Sequence, residues 1–217
     1  MIKPYLFERR FLFLLIVILA MLVVVPFVED YSGINFLIVI AVTGIFIATM
    51  YAISHKKHHV VLALFLVSPT IGMLWIDYFI KAEWAFVIGE ICGVLFFGFA
   101  IFHIVNFMLK ENEVTKEMIY AAVVVYLLMA MLWSDIYQLL ERLAPGSCSM
   151  PDGQIQYDRR LFLYFSLVTI TTLGYGDMTP LTDRAAGLAS VEALSGQIYL
   201  VVLVAWLVGM HVSKRSK

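Results

Sequence analysis

Apolar residues run along this chain in six long stretches, roughly 11–28, 33–53, 60–80, 84–109, 118–140 and 184–212, divided by short polar connections. An α-helix needs about 20 apolar residues to cross a hydrocarbon core about 30 Å thick, and each stretch approaches or exceeds that length. The pattern predicts six transmembrane helices in an all-α integral membrane fold. A seventh apolar stretch, about 161–171, is too short to span. It begins after Asp158-Arg159-Arg160 and runs into glycines, which predicts a re-entrant half-helix between the fifth and sixth spans.

Charge in the connections sets the direction, because Lys and Arg are retained on the cytoplasmic side. Lys3, Arg9, Arg10, Lys56, Lys57, Lys110, Lys116, Lys214, Arg215 and Lys217 make ten on one side, against five on the other, Lys81, Arg142, Arg159, Arg160 and Arg184. Both termini are expected on the cytoplasmic side of a cell membrane, with the re-entrant segment entering from outside. Glu29 and Asp30, and Tyr78 and Trp84 at the predicted interfaces, agree with this placement. Basic residues ahead of an apolar run also describe a signal peptide. Here the run is longer than a signal core and ends in Pro26-Phe27-Val28-Glu29-Asp30 without a small-residue cleavage site, so the first span is read as uncleaved. About five residues follow the last span, and no linker, low-complexity segment or soluble domain is found. A soluble regulatory domain is expected from another chain or not at all.

Composition narrows the class. With 62% apolar and 14% charged residues and a mean hydropathy of +0.92, a soluble domain would leave large apolar surface in water, so membrane lipids are the expected solvent. A net charge of −1 and the lack of a basic stripe with interleaved aromatics exclude a nucleic-acid partner. Cys92 and Cys148 make neither a disulfide framework nor a metal site. Cys148 lies in the loop Ala144 to Tyr157, where an intersubunit disulfide and a free thiol both stay open. His55, His58 and His59, beside Lys56 and Lys57, lack further donors and read as a positive-inside anchor rather than a metal site. No nucleophile with its base, metal cluster or phosphate-binding loop supports an enzyme or a bound cofactor.

One segment carries chemistry. Thr169-Ile170-Thr171-Thr172-Leu173-Gly174-Tyr175-Gly176-Asp177 closely resembles the signature of the potassium channel superfamily, with Leu173 where that family usually has Val. Read alone, Gly174-Tyr175-Gly176-Asp177 is a glycine-rich turn. The longer match, its place after a half-helix between two spans, and its approach from the predicted outer side favour a selectivity filter. K⁺ in a narrow passage needs oxygen ligands to replace its hydration shell, and backbone carbonyls supply them without fixed charge. Successive carbonyls can share one axis only if some residues adopt positive φ, which Gly174 and Gly176 do without a Cβ cost. The resemblance implies K⁺ coordination by the carbonyls of Thr172, Leu173, Gly174 and Tyr175 with the Thr172 hydroxyl, Gly176 completing the filter and Asp177 placing a carboxylate at the outer mouth. It implies an aromatic cuff at Tyr164 and Phe165, support from Thr171, and a homotetramer, since one chain offers one face of the passage. The helix ahead of the filter directs its negative dipole end toward the cation. Val168 stands where some relatives have a glutamate, so no buried carboxylate pair is expected behind the filter.

Met178-Thr179-Pro180 continues the resemblance into the last span. Gly196 falls where the family places a gating hinge, and close packing is the alternative. A face through Gly196, Tyr199 or Leu200, Leu203 and Leu207 is expected to line a cavity that Leu203, Leu207 or Met210 could narrow by dewetting. The Pro-x-Pro bend of the voltage-gated branch is missing. A voltage sensor needs Arg or Lys at every third position of the fourth span, and residues 84–109 hold neither. The chain therefore divides into a peripheral, degenerate sensor-like domain, 1–110, and a pore domain, 111–217. Glu192 and Gln197 are read as hydrogen-bonded to neighbouring helices or near the filter base. Asp77, Glu90 and His103 default to functional suspects, with Asp77 and Glu90 placed near outer interfacial water.

The nearest description is a small six-span potassium channel of bacterial type without a cytoplasmic domain. A weakly selective cation pore is the main alternative. A transporter using the polar residues of spans three and four, and a non-conducting accessory subunit, are the others.

Overall fold

The computed structural model describes residues 9–27, 34–53, 57–80, 82–111, 113–150 and 159–215, with the side chains at 34, 57–60 and 211–215 left aside. Lys3, Glu29, Asp30, His55, Lys56, Lys81, Asp158 and Lys217 lie outside the described residues, as do the side chains of Lys57, His58, His59, Lys214 and Arg215. The regular elements of the described chain are helices: α1 (Arg10–Phe27), α2 (Ile34–Ile53), α3 (Lys57–Ile80), α4 (Glu83–Met108), α5 (Lys116–Leu143), α6 (Arg159–Ile170) and α7 (Asp183–Arg215). All but α6 are long and apolar enough to cross a membrane. At 12 residues α6 is too short, reaching about 18 Å at 1.5 Å per residue.

The chain forms two compact units, Met1–Leu127 and Leu128–Lys217, with the division inside α5. In the first, α1 packs on α2, α2 on α3, and α3 on α4. Phe46 of α2 stacks on Phe97 of α4 at 4.9 Å and meets Phe96 at 5.4 Å. Gly89 lets α4 approach α3 closely, since a Cβ there would lie 3.1 Å from Met73 Cβ. Polar groups inside this unit find partners: Trp75 Nε1 donates to Thr43 Oγ1 at 3.2 Å, and that hydroxyl donates to Val39 O at 2.7 Å. Arg10 is buried with its guanidinium over the rings of Phe11 and Phe107, at 4.7 and 4.8 Å. The free N–H of Phe11, in the first turn of α1, donates to Glu117 Oε2 of α5 at 3.3 Å.

Asp77, Glu90 and His103 of α3 and α4 differ in their surroundings. Glu90 is buried, at 1% exposure, so burial in the chain and not interfacial water surrounds it. Asp77 is half-buried. His103 Nδ1 lies 2.9 Å from the Phe99 carbonyl one turn back, a contact made within its own helix.

In the second unit α6 packs on α7 over a core of Tyr137, Cys148, Phe162, Phe165, Met178 and Ala185. Thr182 caps α7, its hydroxyl accepting the Ala185 N–H at 3.3 Å. Thr115 does the same for α5 through the Met118 N–H at 3.2 Å.

Candidate functional site

Helix α6 ends at Ile170, and the next residues fold their N–H groups back onto its last carbonyls. Thr171 N–H reaches Leu167 O (3.2 Å), Thr172 N–H reaches Thr169 O (2.9 Å), and Val168 O accepts from both Leu173 (2.9 Å) and Gly174 (3.3 Å). The Thr171 hydroxyl adds a bond to Leu167 O at 2.6 Å. Carbonyls that a helix C-terminus leaves unpaired are thereby satisfied, and the start of the exposed segment is fastened to α6.

Beyond that anchor the backbone alternates. φ is +59° at Thr172, +57° at Gly174 and +82° at Gly176, whereas Leu173 and Tyr175 are not in the positive region. A uniform L-strand points successive carbonyls to opposite sides, and alternating the hand at every second residue turns them to one side. Both glycines take the conformation expected of them. Thr172 does so against the strain that a β-branched side chain meets there, which sequence reasoning missed. Among the described residues no donor reaches the carbonyl oxygens of Thr172, Leu173, Gly174, Tyr175 or Gly176. All seven residues from Thr171 to Asp177 are exposed.

The segment is braced from behind and above. Phe165 is buried and meets the Tyr137 ring edge-on at 4.9 Å. The Tyr164 hydroxyl donates to Asp177 Oδ2 at 2.6 Å, and Asp177 Oδ1 accepts the Met178 N–H at 3.0 Å. The Tyr164 bond is the main reason the Asp177 carboxyl sits below its ordinary range. After the segment, Thr179 pairs with Ser149: Ser149 N–H donates to Thr179 O at 2.8 Å and Thr179 N–H to Ser149 Oγ at 2.7 Å. Leu181 N–H reaches Ser147 O at 2.8 Å. The turn that supplies Ser147 and Ser149 is organised by the buried Glu141, whose carboxylate accepts the N–H groups of Gly146 (2.6 Å) and Cys148 (3.0 Å). Cys148 is a buried free thiol in its own chain's core, pushed up to about 11 by burial and then by Glu141. Its enclosure there disfavours a disulfide to another subunit.

On α7, Gly196 meets the end of α6: a Cβ at that position would lie 2.7 Å from Ile170 O and 2.5 Å from Ile170 Cγ1. Of the two readings of this glycine, the geometry displays the packing one. Residues are about 100° apart around a helix, so Leu203 and Leu207 share the face of Gly196, and both are half-buried. Gln197, Val201, Val204 and Val208 form an exposed stripe about a quarter-turn or more away.

Glu192, on the Gly196 side of α7, is fully buried. Its Oε2 accepts the Tyr137 hydroxyl of α5 at 2.6 Å, and its Oε1 contacts Ser166 Oγ of α6. A carboxyl therefore does stand behind α6, delivered from α7 and not from the position of Val168.

Residues 117–212 match the family model described as ion channel. No curated protein and no solved structure matches the chain. Several apolar helices long enough to span, and this ion channel domain over α5, α6, the exposed segment and α7, describe a multi-pass membrane protein. The match over residues 117–212, just under half of the chain, supports placing that part in the ion channel superfamily that includes the potassium channels.

Proposed function

We propose that the protein is a homotetrameric, potassium-selective channel that passes K⁺ passively through a filter built from Thr172 to Gly176. The observation that carries this reading is the alternation of positive φ at Thr172, Gly174 and Gly176 in a segment whose carbonyls receive no donor. Such a row of oxygens is a partial coordination shell, and rotation of four copies about an axis completes it. Burial of α7 favours the same assembly: only 6% of an apolar 18-residue stretch within Asp183–Met210 is buried in its own chain, so most of that surface is left for other copies and lipid. In this reading α6 is re-entrant, the Asp177 carboxylates ring the outer mouth, and both termini are cytoplasmic. Residues 111–217 make the pore. Residues 1–110 form a peripheral domain without conventional voltage sensing, since α4 holds no Lys or Arg. The permeant ion is the only ligand required, and the stripe Gln197, Val201, Val204 and Val208 faces the cavity below the filter.

Reversal potentials of the reconstituted protein in mixed K⁺ and Na⁺ test the proposal. Strong preference for K⁺, abolished by Gly176→Ala, is expected. A monomeric particle, or flux that survives Gly176→Ala, refutes it, and conduction without discrimination would favour the weakly selective pore.

A further inference from the structure

Among the described residues, a carboxyl group with no cation beside it is enclosed where α5, α6 and α7 meet, and counting protons sets its charge. Glu192 Oε2 lies 2.6 Å from the Tyr137 hydroxyl, Glu192 Oε1 contacts Ser166 Oγ, and Ser166 Oγ lies 2.7 Å from Ala130 O. These are three close oxygen–oxygen contacts, and the two hydroxyls bring two protons. Tyr137 fills the first contact. Ser166 fills one of the other two, and oxygens so close with no hydrogen between them repel. Ala130 O has no proton to give. The third proton therefore sits on Glu192, which donates to Ser166 while Ser166 donates to Ala130. Burial agrees, because an ionised carboxylate away from water needs a positive partner and a neutral acid with its oxygens bonded does not. The groups turned toward Glu192 are Tyr137 from α5, with the Cys148 thiol near that hydroxyl, and Ser166 from α6. Glu141, farther along α5, is engaged by the N–H groups of Gly146 and Cys148. None of these is a cation.

We propose that Glu192 is a positioning residue for the pore that works as a neutral carboxylic acid, its proton tying α6 to both the outer helix α5 and the inner helix α7. Ser166 lies two residues before Val168, whose carbonyl holds Leu173 and Gly174. A displaced α6 thus displaces the filter. Ionisation sets Glu192 Oε1 against Ser166 Oγ without a hydrogen; Ser166 turns from Ala130 to fill the gap, and the link from α6 to α5 is lost. Channel activity then falls as pH rises. The inference rests on the pore reading for its functional half, whereas the protonation state stands independently of conduction.

Rubidium uptake into proteoliposomes across a pH series, with infrared difference spectra of the same protein, tests it. Wild-type uptake is expected to decline toward alkaline pH. Glu192→Gln keeps a donor for Ser166 and cannot ionise, so its profile is flat, at about wild-type level at the acid end. Glu192→Ala loses about ten-fold, as expected for removing two buried hydrogen bonds. In the infrared, Glu192→Gln removes a C=O band of a protonated carboxylic acid, and Tyr137→Phe shifts that band. A wild-type profile without alkaline decline, or the loss of only a carboxylate band in Glu192→Gln, overturns the proposal. If Glu192→Gln fails to assemble, the Tyr137→Phe spectrum decides: a shifted acid band supports the proposal and an unshifted one overturns it. Wild-type protein with no uptake at any pH removes the pore reading instead, and the spectra still decide the proton.

Discussion

A methyl group at Gly196 would have to displace a peptide oxygen, since Ile170 O lies 2.7 Å from where the Cβ would sit. Backbone yields less readily than a flexible side chain, so Gly196→Ala is expected to cost about 2 kcal/mol in unfolding experiments in detergent. Gly209, with nothing within 4 Å, is the control: Gly209→Ala should be neutral or stabilise by up to about 1 kcal/mol through helix propensity. If Gly196 were only a hinge, its alanine variant would alter opening and leave the melting curve alone. A second residue-scale outcome concerns Asp177. The Tyr164 hydroxyl favours the charged form and holds the carboxyl below its ordinary range. A group depressed in the folded state keeps its charge until pH falls through the lowered value, so wild-type current should resist external acid to a pH below ordinary carboxylate titration. Tyr164→Phe removes the donor, and the acid block, measured by titrating the outer solution of a bilayer, should move to higher pH.

The turn after α5 is built on one carboxylate, and its loss should be felt as a unit. Glu141 accepts two N–H groups, from Gly146 and Cys148, at the root of the segment that pairs with Thr179. Hydrogen bonds to a buried charged acceptor are worth about 1.5–3 kcal/mol each, with neighbours sharing the loss. Glu141→Ala is expected to lower stability by about 2 kcal/mol or more, and Glu141→Gln, which keeps one carbonyl acceptor, by clearly less; thermal melts of the two variants check the ordering. At this scale much was legible beforehand. Among the described residues, the long apolar stretches revealed the six helices long enough to span, and the short one revealed α6. Several ends moved outward by a few residues: α3 begins at Lys57 rather than 60, and α5 runs Lys116–Leu143 rather than 118–140. Hydropathy marks where lipid ends, whereas helical hydrogen bonding continues into polar flanks. Convergence was not legible. Tyr137, Ser166 and Glu192 are separated by 26 to 55 positions, and their meeting depends on helix rotation that no local pattern records. The enclosure of Cys148 and the contact of Gly196 with Ile170 are of the same kind. Thr172 was missed for a different reason, because β-branched residues give no local signal for positive φ.

For the whole molecule, the sparsely covered α7 predicts where reagents reach. With Val204 and Val208 of the stripe exposed and Leu203 half-buried about 100° or more away around the helix, a water-soluble thiol reagent should block flux through Val204→Cys and Val208→Cys. Leu203→Cys should remain unaffected. The reverse pattern, read as block of rubidium uptake, would put the cavity on the Gly196 face. Chemical cross-linking should likewise yield a ladder ending at four chains. The seat of Gly196 on Ile170 divides α7 into two mechanical parts. Gly196 seats the helix against α6, and residues 197–215 continue beyond that contact for about 28 Å. A tilt of only about 10° about that pivot swings its tip by about 5 Å. In the proposed pore, the far end of the helix would thus change the width of the passage while the oxygens of the filter keep their spacing.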